Sequence, residues 1–120
     1  MEKELFDYVA ERADILISAG SSKQETKDAA QAWKDAVAVE GADVEAATTT
    51  FADFLEGRPT TIDGVIAFAE GPAAQFMGEE AAAQMLAAQL ERKKAGAKYC
   101  NCDACTAASE ILAKLGRIEL

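Results

Sequence analysis

All three cysteines of the chain lie within six residues, with the spacing C-x-C-x-x-C. Three thiolates this close together suit a soft or borderline metal ion, and zinc is the candidate cofactor. We therefore predict that Cys100, Cys102 and Cys105 are metal ligands. Because zinc takes four ligands, the fourth would be Asp103, Glu110, a water, a residue of a partner protein or a cysteine from a second copy of the chain.

The position of the cysteines also favours the thiolate form. If residue 101, 102 or 103 caps a final helix, Cys102 and Cys105 lie in its first turn. Unpaired backbone N–H groups and the positive end of the helix dipole stabilise a thiolate there. Residues 87–120 carry six bases and four acids, whereas residues 1–86 carry six bases and 17 acids. The cysteines therefore occupy the one locally basic region, although Asp103 places a carboxylate between two of them.

Two other uses of the cysteines stay open. Cys102 and Cys105 form a C-x-x-C pair at a helix start, which is typical of thiol–disulfide exchange. Cys102 would be the nucleophile, and Cys105 or Cys100 would resolve the mixed disulfide, although no thioredoxin-like βαβ pattern surrounds the pair. Alternatively, the cysteines are inert, half-buried side chains in a helical module that dimerises. We predict no catalytic residue and no binding site for an organic cofactor.

Composition and charge exclude several classes of function. The chain has no histidine, which excludes Ser-His-Asp and Cys-His catalysis and zinc bound by histidine. Its net charge of −9 argues against binding to nucleic acid or to an anionic membrane through bulk charge. No apolar stretch is long enough to span a membrane, and the first residues lack the features of a signal peptide. We predict a cytoplasmic protein, with a homo-oligomer as a possible assembly.

The composition favours helices throughout. The chain contains 27 alanines and only two prolines, and alanine loses no side-chain entropy in a helix. Glycines punctuate stretches with helical spacing of apolar residues. We predict an all-α fold: a single domain, residues 1–120, built as a compact bundle of five or six amphipathic helices. The expected helices span about residues 2–19, 22–40, 43–56, 62–68, 79–94 and 103–115.

Individual residues carry further expectations. A capping box of Ser22 and Glu25 is expected to open the second helix, Asp43 to cap the third, and Thr60 with Asp63 to cap the fourth. Trp33 lies on an apolar helix face, so we place it in the core, with the lining of a ligand pocket as the alternative.

The apolar residues of the middle and of the fifth helix are also expected to be buried. Phe76, Met77 and Met85 are placed in the core, with an adaptable binding groove formed by the three as the alternative. The buried face of the fifth helix would consist of Ala82, Met85, Leu86 and Leu90, and Gly78 could kink or separate the segment before it.

Two segments resemble a set of short proteins from anaerobe-type bacteria. Residues 64–70 read GVIAFAE and residues 95–105 read AGAKYCNCDAC, which includes the A-K-Y-C-x-C-x-x-C segment of that set. Some members are labelled heat-shock chaperones of the ninety-kilodalton class. The residues do not support that label, because the chain has no ATP-binding pattern and 120 residues cannot hold that chaperone's domains. The set has no established activity, so the resemblance implies only that the cysteine cluster is a shared feature.

Overall fold

A computed structural model describes residues 1–120, which form seven helices and no strand. The prediction of an all-α fold is confirmed. In chain order the helices are α1 (Lys3–Ser18), α2 (Gln24–Ala38), α3 (Val44–Leu55), α4 (Ile62–Glu70), α5 (Ala73–Met77), α6 (Glu79–Lys94) and α7 (Asp103–Lys114).

The predicted count of five or six helices is wrong, because the segment between α4 and α6 forms a helix of its own. This helix, α5, has only five residues, which is too short to show an amphipathic period. Gly78 ends it with φ 86° and ψ 158°, a backbone conformation open mainly to glycine. The glycine therefore separates α5 from α6 rather than bending one continuous helix.

Side-chain caps fix the starts of two helices near their predicted positions. Asp43 caps α3, as predicted, and accepts a backbone N–H at 3.0 Å. Thr61 caps α4 in the same way at 3.0 Å, one residue after the predicted Thr60. The predicted capping box at Ser22 is wrong, because residues 20–22 belong to the turn after α1 and α2 begins only at Gln24.

The helices form two compact units, each with its own apolar core. The first unit, residues 1–59 and 101–120, contains α1, α2, α3 and α7. In it, α1 packs against α2 and α7, and α3 packs against the same two helices. The second unit, residues 60–100, contains α4, α5 and α6, and each of these packs against the other two. That the whole chain folds as a single domain stays a prediction.

Trp33 lies at the centre of the first unit, as predicted. Its side chain is 3% exposed, and its ring lies 5.5 Å from that of Phe6 and 6.0 Å from that of Phe51. The indole N–H donates to the hydroxyl of Thr48 at 2.9 Å, so the buried polar group keeps a partner. Around these rings the core is filled by Val9, Ala13, Leu16, Ala30, Ala52, Leu55, Ala107, Ala108, Ile111 and Leu112.

The second unit buries fewer large side chains than predicted. Its core is formed by Ile62, Val65 and Ile66 of α4, with Met85 and Leu86 of α6 packed against them. The core placement of Phe76 and Met77 is wrong, because these side chains are 78% and 43% exposed. The short helix α5 buries only one of its sides, and Ala73 is the buried residue on that side. The Phe76 ring instead stacks on Phe68 with 6.2 Å between centroids.

The buried face of α6 also differs from the predicted one at its C-terminal end. Leu90 is 47% exposed, whereas Gln89 is 5% exposed and accepts a hydrogen bond from Arg92 at 2.7 Å. Alanines occur on several sides of this helix, so its apolar residues do not define one face. The predicted position of Leu90 in the core is therefore wrong.

Replacing Thr48 by Val tests the central hydrogen bond of the first unit, because it removes the hydroxyl and keeps the shape. We expect Thr48→Val to lower the free energy of unfolding by about 1–3 kcal/mol, since the buried N–H of Trp33 loses its acceptor. Urea denaturation followed by helical circular dichroism measures the change.

Thr50→Val is the matched control. Both threonines lie on α3, and each hydroxyl donates to the carbonyl four residues before it, that of Val44 for Thr48 and that of Ala46 for Thr50. The side chain of Thr50, however, is exposed. We expect this variant to stay within about 0.5 kcal/mol of the original chain. Equal losses in the two variants would contradict the role given to the bond between Trp33 and Thr48.

Candidate metal centre

Backbone pairing positions Cys100 before the last helix begins. The N–H of Cys100 donates to the carbonyl of Thr60 at 2.8 Å, and the N–H of Ile62 donates to the carbonyl of Lys98 at 2.8 Å. The two stretches therefore run antiparallel for one bridge. The side chain of Cys100 is partly buried against the core of the second unit. The sequence pattern gives no sign of this pairing, because it joins residues that are far apart in the chain.

Cys102 is the N-cap of α7, one of the three cap positions that the sequence allowed. Its backbone is extended, with φ −65° and ψ 159°, and its Sγ accepts the backbone N–H of Cys105 at 3.4 Å. The N–H of Ala104 donates to the hydroxyl of Ser21 at 3.2 Å. Two of the backbone donors that a helix start leaves unpaired thus find side-chain partners. The start of α7 is thereby fixed at Asp103.

The structure brings the three predicted ligands together. The Sγ atoms of Cys100, Cys102 and Cys105, here called the cysteine triad, all lie within 4.8 Å of one another. Each side chain is partly buried, and no disulfide joins them. Zinc–sulfur bonds of about 2.3 Å require sulfur atoms about 3.8 Å apart, so shifts of about 1 Å or less would bring the three onto one ion.

The two carboxylates named as a possible fourth ligand do not join the triad. The group of potential ligand atoms comprises the three sulfurs alone. Asp103 is exposed in the first turn of α7. The carboxylate of Glu110 lies 3.5 Å from the guanidinium of Arg12, on α1. The protein thus presents a set of three sulfur donors.

The basic residues upstream of the triad make contacts of their own. Lys93 forms an ion pair with Asp63 at 2.7 Å, and Arg92 donates to Gln89 at 2.7 Å, both within the second unit. Farther along the chain, two carboxylates hold Arg117. Hydrogen bonds from its guanidinium to Asp53 and then to Glu56 raise the pKa of Arg117 above its ordinary value. Lys93, Arg92 and Arg117 are therefore each engaged by partners outside the triad.

An apolar cavity lies between α2 and α3, and Trp33 takes part in its lining, which the sequence offered only as the alternative to a core position. It has a volume of about 400 Å³ and is lined by Ala29, Ala32, Trp33, Ala36, Ala47, Thr50, Phe51 and Phe54. The signal for it was the repetition of small alanine side chains beside Trp33 on α2. The lining contains no titratable side chain, and its one hydroxyl, that of Thr50, donates to the carbonyl of Ala46, so this cavity has no group for acid–base chemistry.

Substitutions of Cys102 separate its role as a cap from its role as a ligand. In metal-free, reduced protein we expect Cys102→Ala to lower the free energy of unfolding by about 1 kcal/mol, because α7 loses its N-cap acceptor. Cys102→Ser keeps an acceptor that helix starts prefer, so we expect a loss of less than about 0.5 kcal/mol. Urea denaturation in the presence of a chelator makes the comparison, and equal losses would show that the sulfur does not act as a cap.

Comparisons with protein-family models, with curated proteins and with solved structures give no match for this chain. The resemblance of two segments to short bacterial proteins therefore stays a prediction. None of the seven helices has the length and apolar character needed to cross a membrane. The cysteine triad is the cluster of potential metal ligands that the fold brings together.

Proposed function

We propose that the cysteine triad binds a thiophilic metal ion such as zinc, in a small helical protein of the cytoplasm. The observation that carries the proposal is the mutual distance of the three Sγ atoms, which is within 4.8 Å. The reducing cytoplasm would keep the cysteines available as thiolates. The role of the ion is either structural or the handling of the metal itself.

The surroundings of the triad support binding of a cation by thiolates. The backbone N–H of Cys105 donates a hydrogen bond to the sulfur of Cys102. This bond orients that sulfur and offsets part of the negative charge of its thiolate. At the other end of the cysteine segment, the hydrogen bond from the N–H of Cys100 to the carbonyl of Thr60 holds the main chain of Cys100. Each of the three cysteines is partly buried, so it is neither fully solvated nor sealed from solvent.

A zinc ion on the triad would need one more ligand. A structural site would close that position within the chain, although the assembled ligand atoms are the three sulfurs alone. A handling site leaves the position to water or to an exchanging partner. In a homodimer, a cysteine of a second copy would supply it.

Thiol–disulfide exchange is the second candidate, and the same proximity of sulfurs favours it. Two of the three thiols would lose two protons and two electrons to a disulfide substrate, which would be reduced to two thiols. Cys102 would attack the disulfide of the substrate, and Cys105 or Cys100 would then resolve the mixed disulfide. The chain would then cycle between a dithiol and a disulfide without retaining an ion.

Native mass spectrometry of reduced protein, prepared without chelator, distinguishes these functions. We expect one metal ion per chain, and we expect alkylation of the cysteines to remove it, since thiolates are the ligands. A mass lower by about 2 Da that reductant restores would instead support the exchange function. A metal-free dimer with reduced cysteines would support an interaction module and refute metal binding.

The pH dependence of metal binding provides an independent test. Protons compete with the ion for the sulfurs, so we expect the affinity to fall as the pH decreases and to rise with pH until all three are thiolates. Titration of zinc against a chromophoric chelator at several pH values measures this. Cys102→Ser should abolish the binding of zinc, and Asp103→Asn should keep the pH dependence of the affinity. An affinity that does not change with pH would exclude thiolate ligands.

A further inference from the structure

The triad offers three donors of one kind. Its potential ligand atoms are the sulfurs of Cys100, Cys102 and Cys105, and the chain contains no histidine that could add a nitrogen. Glu110 is held in its ion pair with Arg12. A metal that requires four ligands would have to recruit one from outside this set, whereas an ion that takes three thiolates would find its shell complete.

We infer that the ion best matched to the triad is monovalent copper, bound by the three thiolates and by no other ligand. This inference rests on the proposed metal-binding function and names the ion for the same site. Monovalent copper is a soft cation that thiolate ligands select, and with sulfur it commonly takes two or three ligands. Magnesium, calcium and manganese prefer oxygen ligands, which the triad lacks.

The distances suit a trigonal arrangement. For metal–sulfur bonds of about 2.3 Å, three sulfurs in one plane with the ion lie about 4.0 Å apart. The sulfurs of the triad lie within 4.8 Å of one another, so each pair needs to close by about 0.8 Å or less.

The charges of the segment suit a site that remains negative after binding. Three thiolates and one monovalent cation leave a net charge of −2, which must be balanced by nearby positive potential. The first turn of α7 provides it through the helix dipole and through the N–H that Cys105 donates to the sulfur of Cys102. Lys98 lies two residues before Cys100, and residues 87–120 carry more bases than acids. Binding also releases the protons of those cysteines that were thiols to the solvent.

The test uses the full chain, reduced and free of oxygen. Monovalent copper is added in competition with a chromophoric chelator specific for that ion, and zinc is titrated separately. We expect one copper ion per monomer by native mass spectrometry. X-ray absorption of the loaded protein should show three sulfurs at about 2.3 Å and no nitrogen or oxygen ligand.

Single substitutions show whether all three sulfurs bind. We expect Cys100→Ser, Cys102→Ser and Cys105→Ser each to weaken the binding of copper by at least about 100-fold, because losing even an outer-shell partner costs 10–100-fold. Asp103→Asn is the matched control from the same segment and should leave the affinity unchanged. Helical circular dichroism confirms that each variant is folded.

Distinct results would overturn this inference. If one of the three serine variants keeps full affinity for copper, or if the spectrum contains a nitrogen or oxygen ligand, the three-sulfur site is refuted. If copper is rejected and zinc is bound in a manner dependent on the triad, this inference fails and the proposed metal-binding function stands. If the triad holds neither ion, both fail together.

Discussion

The cap that Cys102 places on α7 is the interaction on which the geometry of the site depends. Because its sulfur accepts the N–H of Cys105, the helix begins at Asp103 and one helical turn separates the two cysteines. The same start sets the rotation of α7, so that its alanines and Ile111 face the core of the first unit. The bond that places two sulfurs side by side thus also places the helix that buries the first unit's core.

Alanine explains both the packing and the difficulty of predicting it. Small side chains let helices approach closely, and in the first unit they surround a few large residues such as Trp33 and Leu55. On α7 the buried alanines and the larger Ile111 and Leu112 follow one helical spacing, at positions 104, 107, 108, 111 and 112, so the buried face is visible in the sequence. On α6 they occupy several sides, and the sequence therefore favoured Leu90 over Gln89 as a buried residue. The burial of Gln89 depends on tertiary contacts rather than on the local pattern.

The parts of the fold that sequence predicts are those set by local chemistry. The bounds of α6 and the start of α7 follow from glycine and from capping residues, which act within a few positions. The proximity of the three sulfurs follows from their spacing within six residues. The helix α5 is too short for a period, and the pairing of Cys100 with Thr60 joins residues 40 positions apart. Features of this kind form only in the folded chain and cannot be recognised from the local sequence.

What the fold adds to the cysteine spacing is restraint. In an unfolded chain the same six residues would sample many arrangements, and a metal ion would have to order them at an entropic cost. In the folded chain, the backbone of Cys100 is held by its bond to Thr60, and Cys102 and Cys105 are held by the start of α7. Each of these restraints lowers the entropic cost of ordering the ligands. The apolar cavity beside Trp33 has no titratable group, whereas this segment brings three thiols together, so the reactive side chains of the protein are concentrated there.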